Sequence, residues 1–217
     1  MHELLAIFRS LTKNLDQFTI DHGNTTYAIL MAIVFVETGV VIMPFLPGDS
    51  LLFAAGAVAS RGFLSVGPLA IGLMLAAIIG DTINYQIGKA IGPRVMKGEK
   101  SRWFNKKHLD KTHKFFEKYG GKTIILARFV PIVRTFAPFV AGAGAMNYRK
   151  FIVYNIVGGV SWVTLMLGSG WVLGQIQFVK DRFELIVIGI VVLSVMPMVI
   201  EWWRARGEKA ETETSAS

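Results

Sequence analysis

The sequence predicts an all-α polytopic membrane protein: about four transmembrane helices, two re-entrant hairpins in an inverted repeat, and an N-terminal amphipathic helix. Three observations lead there. Of the 217 residues 53% are hydrophobic, and the mean hydropathy is +0.48, high for a soluble domain of this size. Apolar stretches recur at about 27–43, 66–91, 151–176 and 183–203, each near the ~20 residues that a spanning helix needs. And the segment Pro44-Phe45-Leu46-Pro47-Gly48-Asp49-Ser50 interrupts an apolar run from Tyr27 to Ala59.

Taken in order, residues 1–22 carry Leu4, Leu5, Phe8, Leu11, Leu15 and Phe18 near helical spacing, the pattern of a helix lying on a membrane surface. The first long apolar stretch starts only near Tyr27 with no small-residue cleavage site, so the N-terminus does not read as a secretory signal. A first helix runs over about 27–43. Pro44, Pro47 and Gly48 break the next segment, 44–59, because proline removes a helical donor and clashes with the preceding turn. A second helix starts at about Val66. The region 92–122 is basic and contains a helix near 106–118. A second broken segment, 123–145, carries Pro131 and Pro138. Two further helices complete a single membrane-embedded domain over 1–206, and 207–217 reads as a disordered polar tail.

The two broken segments resemble each other. Phe53-Ala54-Ala55-Gly56-Ala57 matches Phe139-Val140-Ala141-Gly142-Ala143 at all but one position. Small residues of this kind also recur wherever membrane helices pack closely. Topology adds weight. Lysine and arginine collect in cytoplasmic loops, which puts 92–122 and Arg204–Arg206 inside. If each broken segment enters and leaves on one side, both termini are cytoplasmic and the hairpins enter from opposite faces. That is an inverted repeat, with its site expected at the midplane.

The net charge of +8 comes with lysine and arginine clustered at 89–122. Membrane topology explains this more simply than nucleic acid, which is not an expected partner. With no cysteine, disulfides and thiolate metal sites are excluded. His108 and His113 form no recognised metal motif. Gly142-Ala143-Gly144 lacks the Lys-Ser/Thr of a phosphate loop. Neither a metal nor a cofactor is expected.

Four charged residues stand inside or beside the apolar runs: Glu37, Asp49, Arg128 and Arg134. Charges at hydrocarbon depth are costly and face the protein interior or a wet cavity. Each has a plainer reading: an interfacial carboxylate at Glu37, a helix cap at Asp49, snorkelling arginines at 128 and 134. Read as one set, the two acids and two arginines are formally neutral. Arginine forks match phosphate oxygens, and carboxylates exchange protons, so Arg128 and Arg134 suit a lipid phosphate and Glu37 and Asp49 suit proton coupling. Asp81 and Asn84 either line the same cavity or bond across to another helix. Trp162, Trp171, Trp202 and Trp203 read as packing or interfacial residues.

These segments carry a family resemblance. Glu37-Thr38-Gly39, Pro44 to Ser50, Gly80-Asp81 with Asn84-Tyr85, and Arg128-Phe129-Val130-Pro131-Ile132-Val133-Arg134-Thr135 together resemble the bacterial DedA family, related to the eukaryotic VTT-domain lipid scramblases. The resemblance implies the bacterial inner membrane and a lipid flippase, with undecaprenyl phosphate the foremost cargo, and it places the family's essential acids at Glu37 and Asp49 and its essential arginines at Arg128 and Arg134. The expected partners are thus an anionic membrane lipid and protons. A phospholipid scramblase and a proton-coupled small-ion antiporter are the alternatives. An enzyme is not expected, because no nucleophile–base pair is visible. The oligomeric state stays open, a homodimer being one option.

Overall fold

The structure, a computed structural model, describes residues 23–40, 48–96 and 106–177. The amphipathic helix expected over 1–22, Pro44 and Pro47, the apolar stretch 183–203 and the tail 207–217 lie outside the described residues. All regular structure among the described residues is helical: α1 (Gly23–Gly39), α2 (Gly48–Ser60), α3 (Val66–Met96), α4 (Lys106–Tyr119), α5 (Thr123–Ala127), α6 (Pro131–Val140) and α7 (Tyr148–Leu173).

Within these residues, Val66–Gly92 of α3 and Tyr148–Leu173 of α7 are long and apolar enough to cross a membrane. α2 is different. Its 13 residues extend only ~20 Å at 1.5 Å per residue, against ~30 Å of hydrocarbon. The second broken segment is a chain of short pieces. A 3₁₀ turn (Gly120–Lys122) leads into α5, a turn over 128–130 separates α5 from α6, and a π-helical turn (Ala141–Ala145) follows α6. Pro131 sits at the start of α6, and Val130 before it is extended (φ −122°, ψ 103°), the conformation that a following proline favours. Gly144, at φ 139°, closes the π turn. Asn147 then starts α7 by accepting from the Arg149 N–H at 2.9 Å, which sets the helix start at Tyr148 rather than near 151.

One break is misplaced by the sequence reading. Pro138 does not end a helix: α6 runs through it to Val140. Its missing N–H forgoes the bond to the Arg134 carbonyl, and the chain widens into the π turn just beyond.

The helices pack crosswise. α1 lies along α3, and α2 lies along α7, while α6 and the π turn lie on α3. Both short arms dock through glycine. A Cβ on Gly56 would strike the Leu167 carbonyl, and one on Gly170 would strike the Phe53 carbonyl. On the other side, a Cβ on Gly142 would strike the Tyr85 carbonyl, and one on Gly88 the Phe139 carbonyl. The two sequence-matched stretches therefore seat identically: the phenylalanine's main chain against one glycine, its own glycine against the main chain a turn away. Close backbone approach at small residues is how helices associate without a hydrophobic drive from water.

Two apolar clusters result. One gathers Val34, Leu52, Leu69, Leu73, Trp162 and Leu167. The other gathers Tyr85, Ile124, Val133, Phe136, Phe139 and Phe151. Along α3 the first cluster reaches Ala77 and the second begins at Tyr85. Asp81 and Asn84 fall between them. On α7, Asn155 falls between Phe151 and Trp162 in the same way.

Candidate functional site

The polar residues meet at this junction. Arg134 reaches from the first turn of α6 and is the centre of one cluster. Its Nη2 donates to Glu37 Oε1 of α1 at 2.5 Å, and its Nη1 donates to Asp49 Oδ1 of α2 at 2.9 Å. One guanidinium fork thus spans two carboxylates from two helices. The Gly48 N–H, at the start of α2, adds a bond to Glu37 Oε1 at 3.3 Å. Trp162 Nε1 of α7 donates to Asp49 Oδ1 at 2.6 Å. The sequence fits this locally. A Cβ on residue 48 would overlap the Glu37 carboxylate, so only glycine lets that side chain reach the helix start.

Arg128 lies in a second cluster. Its Nη2 donates to Asp81 Oδ2 of α3 at 2.5 Å and to Asn155 Oδ1 of α7 at 2.7 Å. Asn155 Nδ2 in turn donates to the Ile78 carbonyl at 3.0 Å, which fixes the amide's orientation. Gly158 and Gly159 form the floor beneath the guanidinium: a Cβ at 158 would stand 3.1 Å from Arg128 Nε. Arg128 Nε and Nη1 are buried and have no hydrogen-bond partner. The Trp162 ring joins the clusters, lying 5.3 Å from the Arg134 guanidinium carbon and 5.7 Å from that of Arg128. Cations over an indole face are attracted by its quadrupole, the more so when desolvated.

So Glu37, Asp49 and Arg134 come together, as the sequence reading expects. Arg128 does not share their acids; it is held by Asp81, which joins the site as its ion-pair partner. Asn84 bonds across rather than lining a cavity. Its Nδ2 donates to the Thr38 carbonyl of α1 at 3.2 Å and to the Thr135 carbonyl of α6 at 3.0 Å. Pro131 starts the helix that carries Arg134. The sequence reading missed Asn155 and the polar role of Trp162. A signal was present: Asn155, Gly158, Gly159 and Trp162 line one face of an otherwise apolar helix, and a lone amide in such a run calls for a partner.

Chemically, five charged groups are buried or half-buried together: Glu37, Asp49, Asp81, Arg128 and Arg134. All are paired, as interior charges must be. The exposures differ. The Asp49 side chain is 42% exposed, against 3% for Glu37 and 2% for Arg128. Among the described residues no cluster of histidine and acidic side chains is placed to hold a metal ion.

A chain with long apolar helices, an arm too short to span, and ion pairs buried between two apolar clusters is a helical membrane protein with a charged interior site. The comparisons give its family. The VTT domain matches residues 46–172. Protein DedA of Escherichia coli K12 is 51% identical over 200 residues, covering 91% of both chains. An uncharacterized membrane protein of Mycobacterium tuberculosis is 44% identical over 180 residues, 82% of this chain and 79% of the relative. Inner membrane protein YghB of Escherichia coli K12 is 31% identical over 173 residues, 79% of this chain and 78% of the relative. No solved structure matches the chain. The chain belongs to the DedA family of VTT-domain membrane proteins.

Proposed function

We propose that this protein is an inner-membrane flippase that moves an anionic lipid, foremost undecaprenyl phosphate, between leaflets with coupled proton movement. The observation that carries the reading is the Arg134 fork bridging Glu37 and Asp49 at the junction of the two clusters. A guanidinium suits a phosphate headgroup, and the carboxylates beside it suit proton exchange. The short arm α2 and the broken 123–145 segment are the two re-entrant hairpins of an inverted repeat, seated crosswise on α7 and α3. That gives a midplane site between opposed halves, with both termini cytoplasmic. The headgroup crosses at the site while the tail stays in lipid.

The small-ion antiporter is less well supported. It stays the alternative, because Glu37 and Asp49 share the one Arg134 guanidinium and leave one negative charge uncompensated, but it gives no use for the guanidinium fork. Nothing in the cluster resembles a nucleophile with its base, so the protein is read as a transporter rather than an enzyme of lipid phosphates.

The test is flipping of a polyprenyl phosphate by the reconstituted protein, with and without a pH gradient. Arg134→Lys is expected to cut the rate at least ~tenfold, since a point charge cannot replace the fork. Glu37→Gln and Asp49→Asn are expected to abolish the response to the gradient. Parent-like flipping by the lysine variant defeats the proposal.

A further inference from the structure

The donors around Arg134 are more numerous than one ion pair requires. Glu37 Oε1 accepts from Arg134 Nη2 and from the Gly48 N–H. Asp49 Oδ1 accepts from Arg134 Nη1 and from Trp162 Nε1. Two oxygens, each served by two N–H groups, sit on one guanidinium. A guanidinium fork, an indole N–H and the first N–H of a 13-residue helix form a donor set that fits any tetrahedral oxyanion. Here the protein's own side chains fill it. They fill it imperfectly, because Glu37 Oε2 is buried with no hydrogen-bond partner.

We propose that the Glu37 and Asp49 oxygens hold the places of headgroup oxygens, that Trp162 Nε1 and the Gly48 N–H are headgroup ligands beside Arg134, and that a headgroup enters only as a carboxyl group takes a proton and leaves. This deepens the reading given above and rests on it for the identity of the cargo. Asp49 is the group that leaves first, being 42% exposed at its side chain where Glu37 is 3% exposed.

The charge count gives the coupling. The charged groups facing the cradle are Glu37 from α1, Asp49 from α2, Asp81 from α3, Arg128 from α5 and Arg134 from α6. α7 contributes Trp162 and Asn155, neither of which titrates. Asp81 and Arg128 already neutralise each other. The cradle's charge therefore stays constant only if each negative charge brought by the headgroup is matched by one proton taken up by a carboxylate. Anion and proton bind together, and the step is electroneutral.

The experiment uses the full chain in detergent micelles with farnesyl phosphate, inorganic phosphate and farnesol as probes. The sequence has five tryptophans, and Trp162→Phe assigns the Trp162 indole N–H signal by its loss. On the parent, that signal should move with farnesyl phosphate and stay still with farnesol. At pH 8, Asp49→Asn or Glu37→Gln should bind farnesyl phosphate at least ~tenfold more tightly than the parent, because a neutral amide does not oppose the incoming anion. Calorimetry in buffers of different ionisation enthalpy should show proton uptake on binding by the parent and less by the amide variants. An unmoved indole signal, or amide variants that both bind no more tightly than the parent, overturns the proposal.

Inorganic phosphate separates the sources. Weaker binding than farnesyl phosphate with the same indole shift supports a lipid headgroup. Equal binding of the two supports the cradle but assigns it to free phosphate, which defeats the flippase reading alone. Lipid flipping by a parent whose amide variants bind no more tightly keeps the flippase and sinks the cradle.

Discussion

Arg128 and Arg134 stand six positions apart in one motif, yet the fold gives them opposite surroundings. Arg134 bridges two acids from two helices, one of them 42% exposed at its side chain. Arg128 is sealed, 2% exposed, against Asp81 at 5%, with Asn155 beside it and glycine beneath. The break at 128–130 makes the difference: it puts Arg128 at the end of α5, against α7, and Arg134 in the first turn of α6, facing α1 and α2. One arginine, itself 9% exposed, has a half-exposed acid beside it. The other braces the helices that frame it.

The comparison is sharpest in stability. Asp81→Ala strands a buried guanidinium and should cost about 3–5 kcal/mol. Asp49→Ala leaves Arg134 with Glu37 and a half-exposed edge but takes the acceptor from the buried Trp162 Nε1–H, so it should cost less, about 1–3 kcal/mol. Thermal unfolding in detergent measures both. Equal losses would break the distinction between a brace and a reachable site. Replacing the pair with apolar residues, as Arg128→Met with Asp81→Leu, should recover most of the lost stability.

A smaller effect probes the glycine floor. Gly158→Ala puts a Cβ within 3.1 Å of Arg128 Nε and 3.3 Å of its Cδ, and overpacking of that kind costs about 1–3 kcal/mol. The smallest has the opposite sign. Gly168, on the same helix, has nothing within 4 Å of a Cβ, so Gly168→Ala should stabilise by about 0.5–1 kcal/mol. The same unfolding measurement checks both. If Gly158→Ala is neutral or stabilising instead, Arg128 has room to move and is not a brace.

Much of this was legible in the chain. The helices expected at about 66–91, near 106–118 and at 151–176 are found at Val66–Met96, Lys106–Tyr119 and Tyr148–Leu173, and the break before Pro131 follows from the restriction proline places on its neighbour. Glu37, Asp49, Arg128 and Arg134 read as one set because charges in apolar runs must find each other, and three of them do, while Arg128 pairs with Asp81. Which acid belongs to which arginine was not legible, since pairing across helices depends on the angle at which α5 and α6 meet. Trp162 escaped because tryptophan in an apolar helix reads as packing until its N–H has a named acceptor. Pro138 misled because a proline's lost bond weakens a helix without always ending it, and α6 continues two residues beyond it to Val140.

The crosswise seating of the arms has a consequence for how the chain is made. α2 ends at Ser60, but the helix it lies on begins at Tyr148. At ~5–20 residues per second, α2 is complete roughly 4–18 s before its seat is synthesised. During that interval Gly56 has no Leu167 to meet, Asp49 has no Trp162, and both Glu37 and Asp49 wait for Arg134. The first half emerges from the ribosome with Glu37 and Asp49 still without Arg134 and with α2 still without α7. Assembly is therefore a late event that closes both halves at once, and a chain truncated before α7 should be recognised as unfinished and degraded.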